Sequence, residues 1–210
     1  MIYPKVCVPL RYKQEGGMYT FLDNLLRYFE KTGVPYTQDT ADAYDILFTF
    51  SFKLAYERIF EIKQSRPDVR VVHRVDGCPK DYGRLDNSDA VLAEVNTLAD
   101  LTIFQSRYAR YSTREKHRVI QQDGPVIYNP VNIDIFFPPG EKIQLPYSVN
   151  VAYVSFSTNP MKGLADVYAA AAACPSTGFI LCGSFPAGHG WPSVESDRDV
   201  QGRGCCRFAK

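Results

Sequence analysis

No apolar run in the chain approaches the roughly 18 to 20 residues of a membrane span. The most alanine-rich stretch, from Ala169 to Cys174, is far too short, so a spanning helix is excluded. Residues 1–5 offer no charged region followed by a long apolar one, and no secretory signal is expected. Cys7, Cys78, Cys174, Cys182, Cys205 and Cys206 form no CxxC pair. That argues against both a zinc site and a disulfide framework, and it fits reduced thiols in a cytosol. Net charge is nearly absent: 24 Lys and Arg against 23 Asp and Glu leave +1, so no global field draws the protein to nucleic acid. The GxGxxG run of a dinucleotide fold and the GxSxG elbow of a hydrolase are both missing. His73, His117 and His189 are too dispersed to suggest a metal site.

What remains is a chain of 210 residues, 45% hydrophobic and 13% aromatic, with the apolar content of a packed protein and room for one large domain or one and a half small ones. Its apolar runs are short and β-branched or aromatic, separated by stretches of helical spacing. This alternation predicts an α/β fold with a parallel sheet. Strands are expected at residues 5–10, 34–37, 45–50, 69–75, 101–104 and 125–128. Helices are expected at 18–31, from about Leu54 to Pro67, at 88–98 and at 107–117. Asn129-Pro130 and Phe137-Pro138-Pro139-Gly140 read as a linker.

The pattern then restarts with a strand at 148–155, a helix at 160–173 and a strand at 179–182. This division predicts a first domain over 1–138, the beginning of a second over 139–185, and an irregular or disordered tail over 186–210, where apolar periodicity disappears. One strand, one helix and one strand cannot bury both faces of a parallel sheet, so the second domain is expected to be incomplete.

Three segments carry candidate chemistry. Gly16-Gly17 lies between the first strand and the first helix, at the carboxyl edge where open α/β sheets bind ligands. Its amides suit a phosphate or a hydroxyl, although a plain tight turn uses the same residues. Val71 to Gly77 delivers His73, Arg74 and Asp76 at a strand end. There, a proton-transfer histidine and a hydroxyl-orienting aspartate stand beside the alternative of a core histidine and a structural ion pair. The following run, Lys80 to Arg84, continues this loop toward an acceptor pocket. In Asn159-Pro160-Met161-Lys162-Gly163, Asn159 suits an N-cap and Pro160 the first helical position, so that the next amides and the Lys162 ammonium suit a diphosphate. An ordinary capped helix with a surface lysine is the bland alternative. A polar helix with Arg107, Arg110, Arg114, Lys116 and Arg118 could face an anionic membrane surface or an acidic acceptor, but a solvated face is the simpler account.

The order of these segments resembles the GT-B glycosyltransferases, specifically the retaining nucleotide-sugar group (family 4-like, group 1). The resemblance covers about Val6 to Ser184. It rests on Gly16-Gly17, the His73 strand end, residues 99–106, Asn129-Pro130-Val131-Asn132 with Phe137-Pro138, and Asn159 to Gly163 followed by residues 179–183. It implies two Rossmann-like domains facing a cleft, with the acceptor on the first and the donor on the second.

The resemblance also implies transfer of a sugar from a nucleotide diphosphate to an acceptor hydroxyl with retention, in glycan or glycolipid synthesis. Lys162 and Gly163, with Gly16 and Gly17, would hold the donor phosphates. His73 would interact with the transferred sugar, Asp76 would be the second catalytic residue, orienting a hydroxyl, and Arg74 and Asn129 would lie on the acceptor side or in the cleft. No metal or other cofactor is expected, since lysine and helix amides offset the leaving charge. The implied partners are the nucleotide sugar and a glycan or lipid-linked acceptor, in the cytoplasm or at the membrane surface, with no nucleic acid. Phe156 and Ser157 stand where the family commonly has an arginine, and the pair of glutamates that would grip sugar and ribose is not present. The alternative expectation is therefore a non-catalytic fragment, or a glycan- or protein-binding domain derived from such an enzyme.

Overall fold

The computed structural model describes residues 3–10, 17–133, 147–155, 159–183, 194–196 and 206–209. The chain divides into two compact units, Met1–Phe136 and Phe137–Lys210. The first holds a sheet of five parallel strands, β1 (Val6–Cys7), β2 (Tyr36–Thr37), β3 (Ile46–Phe50), β4 (Arg70–Val75) and β5 (Leu101–Phe104), in the order β2-β1-β3-β4-β5. The order reverses between β1 and β3, and it is outside the carboxyl ends at such a switch point that open α/β sheets form a crevice. The α/β fold with a mostly parallel sheet is therefore present and Rossmann-like.

Helices cover both faces of this sheet, as a parallel sheet requires. On one face α1 (Gly17–Thr32) places Phe21 and Leu22 against Val6, Val8 and Phe50. On the other, α2 (Tyr56–Ser65) and α3 (Ser88–Thr97) bring Ile59, Ile62 and Val95 onto Leu47 and Val71. Leu22, Leu47, Ile59 and Val71 are wholly buried, each stabilising the unit by roughly 1.5 to 3 kcal/mol relative to exposure. The alternation along β4 divides its side chains between the two layers: Val71 and His73 face α3, Arg74 faces α1.

Two expectations in this unit change in detail. The strand expected at 125–128 is a single parallel bridge between Val126 and Phe104, fixed by hydrogen bonds from Phe104 N to Pro125 O and from Ile127 N to Phe104 O. Pro125 has no N–H to donate, so the ladder does not extend. Gly124 just before it lies so close to the backbone of Thr102 that a Cβ would overlap that carbonyl. The polar helix is α4 (Arg107–Tyr111), which widens into a π turn over Ser112–Lys116, closed by His117 N to Ser112 O at 3.0 Å.

The second unit pairs β6 (Asn150–Ser155) in parallel with β7 (Gly178–Gly183), connected through α5 (Leu164–Ala173). The expected irregular tail is corrected here. β8 (Val194–Ser196) and β9 (Cys206–Ala209) form an antiparallel pair, and β9 adds to β7, giving the order β6-β7-β9-β8. Strands of three and four residues are too short to show an alternation in sequence. The open edge of β7 supplies the N–H and C=O partners that draw an extended segment in. No described helix is long and apolar enough to cross a membrane.

Candidate functional site

The carboxyl ends of β3, β4 and β5 converge on Arg74. Its side chain is only 1% exposed, and the guanidinium carbon lies over the ring of Phe21, 4.0 Å from the centroid. It donates to Asp76 Oδ1 and Asn129 Oδ1 through short contacts, and to Gln105 Oε1 at 3.3 Å, while its Nε is buried without a partner. Burial pushes the guanidinium down to about 10, so it remains charged at neutral pH and needs the Asp76 carboxylate as counter-ion. Gln105 also donates to the Asp76 carbonyl, and Asn129 Nδ2 reaches Gln105 Oε1 at 3.4 Å. Arg74, expected on the acceptor side or in the cleft with Asn129, is thus hydrogen-bonded directly to both Asn129 and Asp76.

His73 lies on the opposite face, fully buried. Its Nε2 meets the Ser51 carbonyl at 2.7 Å and its Nδ1 the Asn96 amide nitrogen at 3.0 Å. A carbonyl only accepts, so Nε2 carries the proton and the ring is the neutral tautomer. Burial drives its pKa down to about 4, only partly opposed by the Ser51 hydrogen bond. Expected at the transferred sugar, His73 instead has both nitrogens engaged inside the protein. The change has a simple cause: at position 73 the strand alternation points the side chain into the α3 layer rather than along the edge.

What His73 does hold is Ser51. This residue adopts φ 41°, a left-handed conformation unusual for serine, just where the chain leaves β3. Ser51 N donates to Arg74 O at 2.8 Å, and its Oγ accepts from Asp76 N at 3.3 Å. A chain of contacts therefore runs from Asn96 through His73 and Ser51 to the backbone of Asp76, fixing that residue from behind while Arg74 fixes its side chain.

In front of Asp76 opens a cavity of about 250 Å³, lined by Met18, Ser51, Phe52, Lys53, Asp76, Gly77, Pro79, Tyr82 and Arg84. The Lys53 ammonium is 5.2 Å, and the Arg84 guanidinium 5.1 Å, from the centroid of the Phe52 ring. Gly77 permits the turn with φ 145°.

The far wall is braced by Asp81. Its carboxylate accepts from Lys116 Nζ at 2.6 Å, His117 Nε2 at 2.8 Å and the Ser112 hydroxyl. Burial of Asp81 alone would raise its pKa, but these hydrogen bonds outweigh it and hold the carboxyl well below the usual range. Three of the five basic side chains of this segment, Arg110, Arg114 and Lys116, are paired with carboxylates of the same unit, Asp123 and Asp81. Gly17 opens α1 with open space where a Cβ would be, while Gly16 lies outside the described residues.

In the second unit Asn159 Oδ1 accepts from Met161 N at 2.9 Å, but the element it caps is a 3-10 turn, Pro160–Lys162. Gly163 then turns left-handed at φ 75° and α5 starts only at Leu164. The expected single helix from 160 is corrected accordingly: Pro160 starts a turn that Gly163 ends, and Lys162 precedes the helix rather than sitting in its first turn. Asp166 stands in that first turn, its Oδ2 3.3 Å from the position a Gly163 Cβ would take. The positive end of α5 thus already has a carboxylate beside it.

Sequence reasoning missed Ser51, Phe52, Lys53, Asn96 and Gln105. The end of the strong strand 45–50 was the available signal for the first three. No described group of three or more His, Cys, Asp or Glu residues could hold a metal ion. No protein-family model matches the chain, and no curated protein matches its sequence.

Proposed function

We propose that the chain belongs to a retaining GT-B type glycosyltransferase, moving a sugar from a nucleotide diphosphate to an acceptor hydroxyl. The observation that carries this reading is the cavity at the carboxyl edge of the first sheet, where Asp76 is held by Arg74 and by the Ser51–His73 contact. A fixed carboxylate among aromatic walls suits a sugar hydroxyl. In this reading a second, non-reacting hydroxyl of the acceptor donates to Asp76. The bond from the sugar's anomeric carbon to the diphosphate breaks as the bond to the acceptor oxygen forms, and the acceptor proton leaves with the diphosphate. The Lys162 ammonium offsets the charge that develops on that leaving group. His73 acts through Ser51 and is a positioning residue.

Calorimetric titration of UDP and GDP, with and without sugar, tests the reading together with a turnover assay. Binding of one nucleotide, weakened about tenfold or more by Lys162→Ala through loss of one charge-assisted contact, is the expected result. Absence of nucleotide binding by the folded chain would sink it. A second reading, a binding module without transfer, is favoured by Asp166, whose carboxylate stands where the leaving diphosphate would need positive charge. Sugar binding without nucleotide binding or turnover would select it.

A further inference from the structure

We propose that the cavity in front of Asp76 takes a single sugar or polyol ring bearing one anionic group, a phosphate or a carboxylate. Its hydroxyls would lie on Asp76 and its anion between Lys53 and Arg84. As the identity of the acceptor the inference rests on the transferase reading; as a binding site it stands on the cavity alone.

Size comes first. Ligand pockets for drug-sized molecules run to about 300–1,000 Å³, and this one holds about 250 Å³, which suits one ring and no oligomer. The walls come second. Phe52 and Tyr82 give apolar faces, and Asp76 has one oxygen, Oδ1, committed to Arg74, whereas no described residue engages Oδ2. A carboxylate accepts only, so it selects hydroxyl donors and repels an anion placed directly on it.

Charge decides the rest. Arg74 is balanced by Asp76, and Arg84 is shared with Asp86 at 3.3 Å. Lys53 has no carboxylate partner among the described residues, although it and Arg84 crowd the same aromatic ring. Both line the cavity, and the Lys53 charge is left uncompensated. A phosphate or carboxylate bound beside them supplies the missing counter-charge and gains charge-assisted hydrogen bonds. A neutral sugar can accept a hydrogen bond from either cation but gains no charge pairing. The site is also built in advance: Asp81 ties the wall carrying Tyr82 to the π turn, and Cys78 Sγ and Lys80 both hold Asp89. Little ordering is left for the ligand to impose.

The test is titration calorimetry on the full chain at low salt with four probes: glucose 6-phosphate, glucuronate, glucose and inorganic phosphate. Glucose 6-phosphate or glucuronate should bind about tenfold or more tightly than glucose and than inorganic phosphate, since one or two charge-assisted contacts supply that factor. Which of the two binds better names the anion. Lys53→Gln and Arg84→Gln, both exposed and neutral to folding by melting curve, should each remove most of the anion's advantage and leave glucose binding unchanged. Asp76→Asn should weaken glucose and its phosphate alike. Equal binding of glucose and glucose 6-phosphate, equal binding of inorganic phosphate, indifference to Lys53→Gln and Arg84→Gln, or no binding of any probe would each overturn the proposal. Nucleotide titration is a separate arm. If UDP and GDP fail to bind while glucose 6-phosphate binds as described, the transferase reading falls and the anionic-sugar site remains.

Discussion

The two units start from the same material, parallel strands joined by helices, and bury it very differently. In the first, helices lie on both faces of the sheet, and Leu22, Leu47, Ile59, Val71 and Leu92 are fully excluded from water. In the second, among the described residues, only Phe179 and Leu181 reach the same class of burial with an apolar side chain; α5 has no buried residue at all, and Val151 and Val154 of β6 are exposed. Strand chemistry is alike in both, so hydrophobicity does not decide burial. A parallel sheet becomes a core when helices cover both faces, and a single strand-helix-strand covers one at best. The preorganised cavity sits in the unit whose interior is complete, since only a packed interior can hold a buried Arg74 and a left-handed Ser51 in place.

The largest effect that separates the units is expected from Arg74→Ala. Removing the guanidinium leaves Asp76 without its counter-ion and uncovers the ring of Phe21. Breaking one side of a buried pair costs about 3 to 5 kcal/mol. Amide exchange should accelerate throughout the first unit and stay unchanged in β6 and β7. A loss confined to the immediate neighbours of Asp76 would show that Arg74 serves the cavity and not the core.

Next in size is a pH effect carried by His73. Burial holds its folded pKa at about 4, below the ordinary histidine value of 6.5, so the unfolded chain takes up the proton first as the solution is acidified. The stabilisation by neutral His73 is complete above about pH 6.5 and is lost as pH falls through 6.5 toward 4. The shift amounts to about 3 kcal/mol at its acid limit. The second unit has no histidine among its described residues, so acid should loosen the first unit selectively over that interval. Denaturant melts at pH 7 and pH 4.5, compared between the wild-type chain and His73→Gln, check this. An equal acid loss in both chains would assign the effect to other groups.

Legibility in sequence follows the same division. In the first unit β5 was read residue for residue, and α1 and α3 to within one residue at each end, because their apolar spacing is long or bounded by clear stops such as Gly33. Arg74 and Asp76 were legible as one strand end, His73 to Asp76, on the carboxyl edge of the sheet, whereas the hydrogen bond from Arg74 to Asn129, 55 residues further on, was not. For His73 the sequence left a core position open beside a catalytic one, and the part played by Lys53 could not be read, since both depend on which layer lies against a given strand face. In the second unit the error was local. Asn159-Pro160 is a genuine start signal, but Gly163 three residues later ends that turn before a helix can form.

A smaller effect tests that turn. Gly163 at φ 75° has no room for a Cβ without shifting Asp166, and a left-handed alanine costs about 1 to 2 kcal/mol. Gly163→Ala should therefore lower the second unit's melting temperature and leave the first unit's exchange pattern untouched. Asp166→Ala in the same background should recover part of the loss by removing the atom in contact. No recovery would mean that backbone strain alone sets the cost.

The smallest expected effect is also the sharpest check on the contrast between the units. β6 is an edge strand of its sheet, and Val154 is 65% exposed on it. An apolar edge of this kind invites pairing with another chain, which natural sheets counter with lysine. If water covers Val154, Val154→Lys should change stability by no more than about 0.5 kcal/mol, the range of an ordinary surface substitution. It should also reduce concentration-dependent association, measured by light scattering. If the cost instead reached the roughly 2 kcal/mol or more of a buried valine replaced by an unpaired charge, that face of β6 would have to be covered. The second unit would then possess an interior, and the difference between the units would be one of cover rather than of packing.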